Sequence, residues 1–334
     1  MTGTCFSILG TGSWGSVMGS HLRMAGHGVA CWHFIESEAR EFQETRQHPF
    51  LEGFSFPPGL LVTSDLTSAL AQGDIIIVAV PSQVVREVMQ QAAGLLNNRP
   101  ILNLAKGIEQ GTLLRMSQVI IEITGCRPNR FATVSGPSHA EEVMLQCPTT
   151  IVAASESLDF AREVQKQLSS KYLRVYASND IIGVELGGSV KNVIAIAAGI
   201  CAGLGLGDNT IAALITRGLA EITRLGVAMG ADIRTFAGLG GIGDLVVTAY
   251  SQHSRNRKLG YEIGQGGRIR DILADMEMVA EGLFTAKSVV DLAEKYQVVM
   301  PICHEVYHVL FEDKDPRRAL TDLMTRDLRD ETLP

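Results

Sequence analysis

Within the first fifteen residues an apolar run from Thr4 to Leu9 meets Gly10-Thr11-Gly12-Ser13-Trp14-Gly15, and a helical pattern carrying Val17, His21, Leu22 and Ala25 follows. Three glycines at this spacing leave few folds open. Gly10 permits a tight turn, Gly12 puts no Cβ between the backbone and an approaching pyrophosphate, and Gly15 lets the helix lie close on the strand. The N–H groups at the helix start then face the phosphates. A strand-to-helix turn that was merely tight would not need all three. The motif predicts a dinucleotide site at the carboxyl end of a parallel strand.

Further strands follow in the first half. Gly28 to Trp32 reads as the second, and Asp74 to Val80 is a continuous apolar run of the kind a strand buried on both faces requires, ended by Pro81. Ile101–Leu104, Phe131–Val134, Thr149–Ala153 and Leu173–Tyr176 complete a doubly wound α/β sheet of Rossmann-like type. From about Asn179 the period changes. Ile181–Gly203, Thr210–Met229, the stretch after Ser254, Thr285–Tyr296 and Pro301–Phe311 all read as helices, with no convincing strand. Two domains are expected, a dinucleotide-binding domain over 1–178 and an all-helical substrate domain over 179–334, and 334 residues that are 46% hydrophobic can fill two cores. The thirty-four glycines predict close-packed turns and helices.

A net charge of −7 without long like-charge blocks argues against a nucleic-acid surface, though a local basic pocket could still bind phosphate. The six cysteines are scattered singly, with no metal-ligand spacing, so no metal is expected and reduced thiols in the cytoplasm are. The first strand begins almost at Met1, which leaves no room for a leader. The apolar stretch Ile181–Leu206 contains Glu185, Lys191 and Asn192 and reads as a buried helix, not an integral membrane segment.

Ligands of such sheets bind beyond the carboxyl ends of the strands. Pro81-Ser82 is there, as a ligand turn or as a strand stop with a serine cap. Lys106-Gly107 follows the Ile101 strand, where a ligand role competes with a solvated lysine. In Ser135-Gly136-Pro137-Ser138-His139-Ala140-Glu141, Ser138 and Glu141 have the spacing of a capping box, and Gly136-Pro137 suggests a loop shaped for a ligand. After Trp32, His33-Phe34-Ile35-Glu36 offers no acid directly at the strand end and no arginine close by, which leaves the ribose reader open, with Glu36 as a candidate to accept from a 2′-hydroxyl.

In the helical half, Lys191 has Gly187, Gly188, Ala195 and Ala198 as helical neighbours, a face almost without side chains. Either something small lies beside its ammonium or the lysine snorkels to water. Gly238-Leu239-Gly240-Gly241-Ile242-Gly243 delivers Asp244, as a site residue or as a helix cap. Ser254-Arg255-Asn256-Arg257 opens a helix with Ser254 as the expected cap, so N–H groups and a guanidinium converge as a phosphate site would require, unless these are only exposed charges.

Together with Val80-Pro81-Ser82, Ala105-Lys106-Gly107, Thr216-Arg217-Gly218 and Val279-Ala280-Glu281-Gly282, these motifs resemble the soluble NAD(P)-dependent glycerol-3-phosphate dehydrogenases over essentially the whole chain. GGSVKN (187–192) with SRNR (254–257) downstream is the specific pair. The resemblance implies reversible reduction of dihydroxyacetone phosphate to sn-glycerol 3-phosphate for glycerophospholipid synthesis, in a homodimer using NAD(P)H. It implies Lys191 as proton donor and acceptor, and Lys106, Gly136, Ser138, Lys191, Asn192, Asp244, Ser254, Arg255 and Asn256 as substrate-binding residues. Beside the fingerprint glycines Gly10, Gly12 and Gly15, it implies a cofactor lining of Ser13, Trp14, His33, Phe34, Pro81, Lys106, Ala140, Arg255, Val279 and Glu281. Many relatives carry Arg or His and then a polar residue at the second strand end. Here Phe34 follows His33, which leaves the choice of cofactor open, and the lack of an arginine beside His33 predicts tolerance of both cofactors or a modest lean to NADH. Ketopantoate reductases and β-hydroxyacid dehydrogenases also use a helix-borne lysine but need no phosphate clamp, and a dinucleotide-binding sensor would need no turnover. Burial and Lys106 should lower the Lys191 pKa while Asp244 raises it.

Overall fold

The computed structural model describes residues 3–276, 278–328 and 330–331. The chain divides into two compact units, one of Met1–Ala105 and Met116–Ile181, the other of Lys106–Arg115 and Ile182–Pro334.

The first unit holds β1 (Cys5–Leu9), β2 (Gly28–Trp32), β3 (Leu61–Thr63), β4 (Ile75–Val78), β5 (Ile101–Asn103), β6 (Phe131–Ser135), β7 (Thr149–Ala154) and β8 (Leu173–Ser178) in the order β3-β2-β1-β4-β5-β6-β7-β8. Phe6 pairs with Val29 on one side and Ile75 on the other, and β4 is buried along its whole length, as its unbroken apolar sequence requires. Around the sheet run α1 (Ser13–Met24), α2 (Glu36–Thr45), α3 (Leu66–Ala71), α4 (Val85–Ala92), α5 (Met116–Thr124), α6 (Ala140–Met144) and α7 (Leu158–Leu168).

Every strand pair is parallel except β6 with β7. There the chain leaves β6 through Gly136, passes through α6 and runs back beside β6. That antiparallel pair, and the three-residue β3, depart from the sequence expectation.

The second unit contains α8 (Ile181–Gly203), α9 (Asp208–Ala228), α10 (Ile233–Phe236), one wide π turn over Leu239–Gly243, α11 (Asp244–Tyr250), α12 (Arg255–Gly264), α13 (Ile269–Asp275), α14 (Glu281–Lys295), α15 (Pro301–Phe311) and α16 (Pro316–Met324). Helix α8 is long and apolar enough to cross a membrane, yet it is the buried centre of this unit. Glycines let a neighbour approach its backbone. A Cβ at Gly199 would stand 2.1 Å from the Arg257 carbonyl oxygen of α12, and one at Gly260 would stand 2.0 Å from that of Ile196. The two helices thus pack backbone to backbone, which fixes the start of α12 against the middle of α8. Helix α15 is capped from α9. The buried Glu221 carboxylate accepts from the N–H groups of Ile302 (2.7 Å) and Cys303 (3.1 Å).

Candidate active site

Because β2, β1, β4, β5 and β6 are mutually parallel neighbours, their carboxyl ends share one edge, and His33, Gly10, Pro81 and Gly136 follow four of them in that order. Gly10 has φ +109°, and its N–H donates to Trp32 O at 3.0 Å, tying the turn to the end of β2. A Cβ at Gly15 would stand 2.2 Å from Gly10 O, whereas one at Gly12 would meet nothing within 4 Å. Gly12 is exposed and is the N-cap of the twelve-residue α1, so the backbone at the helix start is bare toward open space. These residues fit a dinucleotide pyrophosphate. Ser13 is buried, Trp14 half-buried, Pro81 exposed, Phe34 72% exposed and Ala140 buried at the first position of α6.

His33 sits in a polar knot. Its Nδ1 lies 2.5 Å from Thr11 Oγ1 and its Nε2 2.9 Å from a Glu38 carboxylate oxygen, while His48 Nε2 lies 3.0 Å from Thr11 O. Burial holds the His33 pKa below its ordinary value, against the raising effect of Glu38. Two expectations are corrected here. Glu36 pairs with Arg40 on the exposed face of α2, and Glu38 is the acid at the strand end, because the first turn of α2 brings residue 38 rather than 36 back to His33. The Ser138–Glu141 capping box does not form. His139 is the N-cap of α6, without a side-chain cap, and the Ser138 hydroxyl turns back to donate to Gly136 O at 2.9 Å.

In the helical unit, Lys191 is 5% exposed and Asp244 1%. The Lys191 ammonium donates to Asp244 Oδ1 and, at 2.7 Å, to Thr248 Oγ1, while Lys106 donates to Asp244 Oδ2 at 2.8 Å. The Thr248 hydroxyl proton goes to Asp244 O (2.7 Å), so its oxygen is left to accept from the lysine. Gly243 is the N-cap of α11 and Asp244 its first residue, and the Asp244 carboxylate accepts from both lysines. Burial lowers the Lys191 pKa to about 7, with Lys106 pushing the same way and Asp244 opposing. Burial would raise the Asp244 carboxyl, but the two lysines outweigh it and hold it below the usual range. Two ammonium groups on one carboxylate leave surplus positive charge in a buried place, which favours negative charge developing on a bound oxygen. The bare face of α8 needs one correction. A Cβ at Gly187 would stand 2.0 Å from Gly240 O, so that part of the face is filled by the π turn that presents Asp244.

One residue past Lys191, Asn192 presents its backbone carbonyl to Gly282 of α14. A Cβ at Gly282 would stand 2.7 Å from both Asn192 O and Asn256 Oδ1, and Asn256 Oδ1 accepts from the Gly282 N–H at 2.8 Å. Ser254 is the N-cap of α12, its Oγ accepting from Arg257 N at 3.2 Å. The exposed Arg255 reaches Val279 O at 3.2 Å, and Glu281 opens α14. Of the residues expected from the sequence, Lys106, Lys191 and Asp244 meet at one place in this unit, while Asn256 bonds Gly282 and Arg255 reaches Val279 at another. Not expected were Thr248, which the i,i+4 spacing from Asp244 could have revealed, and the pairing of Arg115 with Glu185. An apolar cavity of about 580 Å³ between α8, α9, α15 and α16 lies in the same unit but is not lined by Lys106, Lys191 or Asp244.

A Rossmann-type sheet with a bare fingerprint turn, and a helical unit with a buried lysine of lowered pKa, define an NAD(P)-dependent oxidoreductase. Residues 6–161 match the N-terminal domain of the NAD-dependent glycerol-3-phosphate dehydrogenases, and residues 180–321 match the C-terminal domain. A glycerol-3-phosphate dehydrogenase [NAD(P)+] of Prosthecochloris aestuarii is 49% identical over 97% of this chain and 99% of its own. The crystal structure of glycerol-3-phosphate dehydrogenase from Coxiella burnetii superposes with a TM-score of 0.93 at 36% identity, covering 98% of this chain and 100% of that one. A ketopantoate reductase of Ralstonia eutropha, at TM-score 0.59 and 14% identity over 95% of this chain and 100% of its own, shares the fold alone. The chain belongs to the NAD-dependent glycerol-3-phosphate dehydrogenase family.

Proposed function

We infer that this chain reversibly reduces dihydroxyacetone phosphate to sn-glycerol 3-phosphate, the first unit binding NAD(P)H and the second binding substrate, with the boundary near residue 179. The observation that carries the reading is the buried Lys191 ammonium, shared between Asp244 and Thr248 and faced by Lys106. When bound, NAD(P)H would supply the hydride for reduction and NAD(P)+ would accept it in the oxidative direction. Lys191 gives a proton to the carbonyl oxygen as it gains alkoxide character and takes it back in the oxidative direction. A pKa of about 7 suits both directions near neutrality. Asp244 and Thr248 hold the ammonium in place, and Lys106 and Asn192 orient the substrate oxygens. Ser254, Arg255 and Asn256 grip the phosphate, and that remote contact orients a triose that would otherwise bind loosely. The family resemblance also assigns Gly136 and Ser138 to substrate binding, and the fingerprint, His33, Phe34, Pro81, Ala140, Val279 and Glu281 to cofactor binding.

With Glu38 on His33 and no arginine among residues 33–36, both cofactors are used with a lean to NADH. Family likeness alone supports a cytoplasmic homodimer that supplies the backbone of phospholipids. The absorbance of reduced cofactor at 340 nm tests the reading. Oxidation should depend on dihydroxyacetone phosphate and be far slower with unphosphorylated dihydroxyacetone. Arg255→Ala should remove about 1.5–3 kcal/mol of that preference. Equal losses of kcat/KM on the two substrates would move the phosphate grip away from Arg255.

A further inference from the structure

The ten residues Lys106–Arg115 pack with the helical unit although the chain on both sides belongs to the sheet unit. They form a closed strap. Ile108 and Arg115 pair as an antiparallel bridge, Glu109 N donates to Leu114 O at 3.0 Å, and the tip turns through Gly111 (φ +81°) and Leu113 (φ +61°). Ile108 is fully buried in the helical core, and Ser288 and Gln110 add weak bonds to and from α14. Both ends of the strap finish on a carboxylate. Lys106 meets Asp244, and Arg115 Nη1 donates to Glu185 Oε2 at 2.5 Å, with the Arg115 side chain 12% exposed and that of Glu185 4%.

Buried ion pairs bring little net stability, because desolvation offsets most of the attraction. This one is better explained by what it holds. Glu185 lies on α8, the helix of Lys191, six residues earlier. We propose that Arg115 and Glu185 are positioning residues of the reaction, a latch that fastens the strap to α8 so that the Lys106 ammonium stands on Asp244 beside Lys191. The charged groups acting on Lys191 are Asp244 from α11 and Lys106 from the strap. If the strap loosens, Lys106 withdraws from Asp244, its lowering effect on Lys191 is lost, and Lys191 keeps its proton to higher pH.

The proposal rests on Lys191 as proton donor only for its kinetic readout, so the test reads the lysine directly as well. In the full-length protein with 13Cε-labelled lysine, the Lys191 resonance, assigned with Lys191→Arg, is titrated in the native chain, Arg115→Met, Glu185→Gln and the exchanged pair Arg115→Glu/Glu185→Arg. The latch predicts that each single variant raises the Lys191 inflection by about 0.5–1 pH unit and moves the kcat/KM profile with it. The exchanged pair should return both toward native. Arg115→Met added to Lys106→Met should shift the inflection no further than Lys106→Met alone. Should Arg115→Met fail to fold, Glu185→Gln reads the same quantity. Lower activity or thermal stability with the Lys191 inflection unmoved would overturn the latch. A moved resonance without a moved rate profile would keep the latch and remove Lys191 from proton transfer.

Discussion

Lys191 titrates near neutrality because burial strips its ammonium of water, and the direction of each pH effect follows from that. On the proposed role of Lys191, reduction needs the protonated lysine, so kcat/KM for dihydroxyacetone phosphate should fall as pH rises through about 7. Oxidation of sn-glycerol 3-phosphate needs the neutral amine and should rise over the same range. Rates measured in both directions across that range check this, and parallel profiles would contradict it. His21, His33 and His48 respond differently, since burial holds each below its ordinary pKa of 6.5. Below pH 6.5 the unfolded chain binds more protons than the folded one at these positions, so they should withdraw stability as pH falls. Thermal unfolding followed from pH 7 to 5 should show a falling midpoint, and replacing His48 by Gln should flatten the fall. At this scale Lys191, Asp244 and Lys106 were legible because their motifs and their place after turns mark them. Glu38 and Arg115 were not, since a pairing across loops leaves no periodicity to read.

Helix packing explains much of the glycine content. At Gly260 an added methyl would meet backbone, which cannot rotate away, so Gly260→Ala should destabilise the helical unit by about 1–3 kcal/mol and disturb the Ser254–Asn256 end with it. The α15 cap offers a second check. Glu221→Ala leaves two buried N–H donors without their acceptor, at a cost of about 1–3 kcal/mol for each, readable by chemical denaturation. Burial raises the Glu221 pKa to about 7, against the N–H groups it accepts from, so its folded form binds the extra proton between the ordinary carboxylate range and neutrality. Its contribution to stability therefore falls as pH rises through that window, opposite to the histidines. Most elements were legible from period and turn residues, and Gly28–Trp32, Ile181–Gly203 and Pro301–Phe311 have the bounds the sequence suggests. A three-residue β3 carries too little alternation to register. The direction of β7 shows only in its pairing with β6, which a local pattern does not report, and the Ser138 spacing imitates a cap while its hydroxyl bonds Gly136 O instead.

Over the whole molecule, the net charge of −7 conceals a local excess of positive charge where Lys106 and Lys191 share Asp244. An anionic triose and the developing charge on its oxygen both call for such a place, and the helical unit provides it with its own residues. The strap that carries Lys106 departs from the domain division expected from sequence, because a change of period at residue 179 cannot announce ten residues that pack away from their neighbours in the chain. The central claim is that Lys191 exchanges the proton. It is tested most directly by measuring kcat with dihydroxyacetone phosphate, and cofactor affinity by fluorescence titration, in the native chain and Lys191→Ala. The account predicts a fall in kcat of about 10²–10⁴-fold with cofactor affinity little changed. Near-native turnover in Lys191→Ala would contradict it.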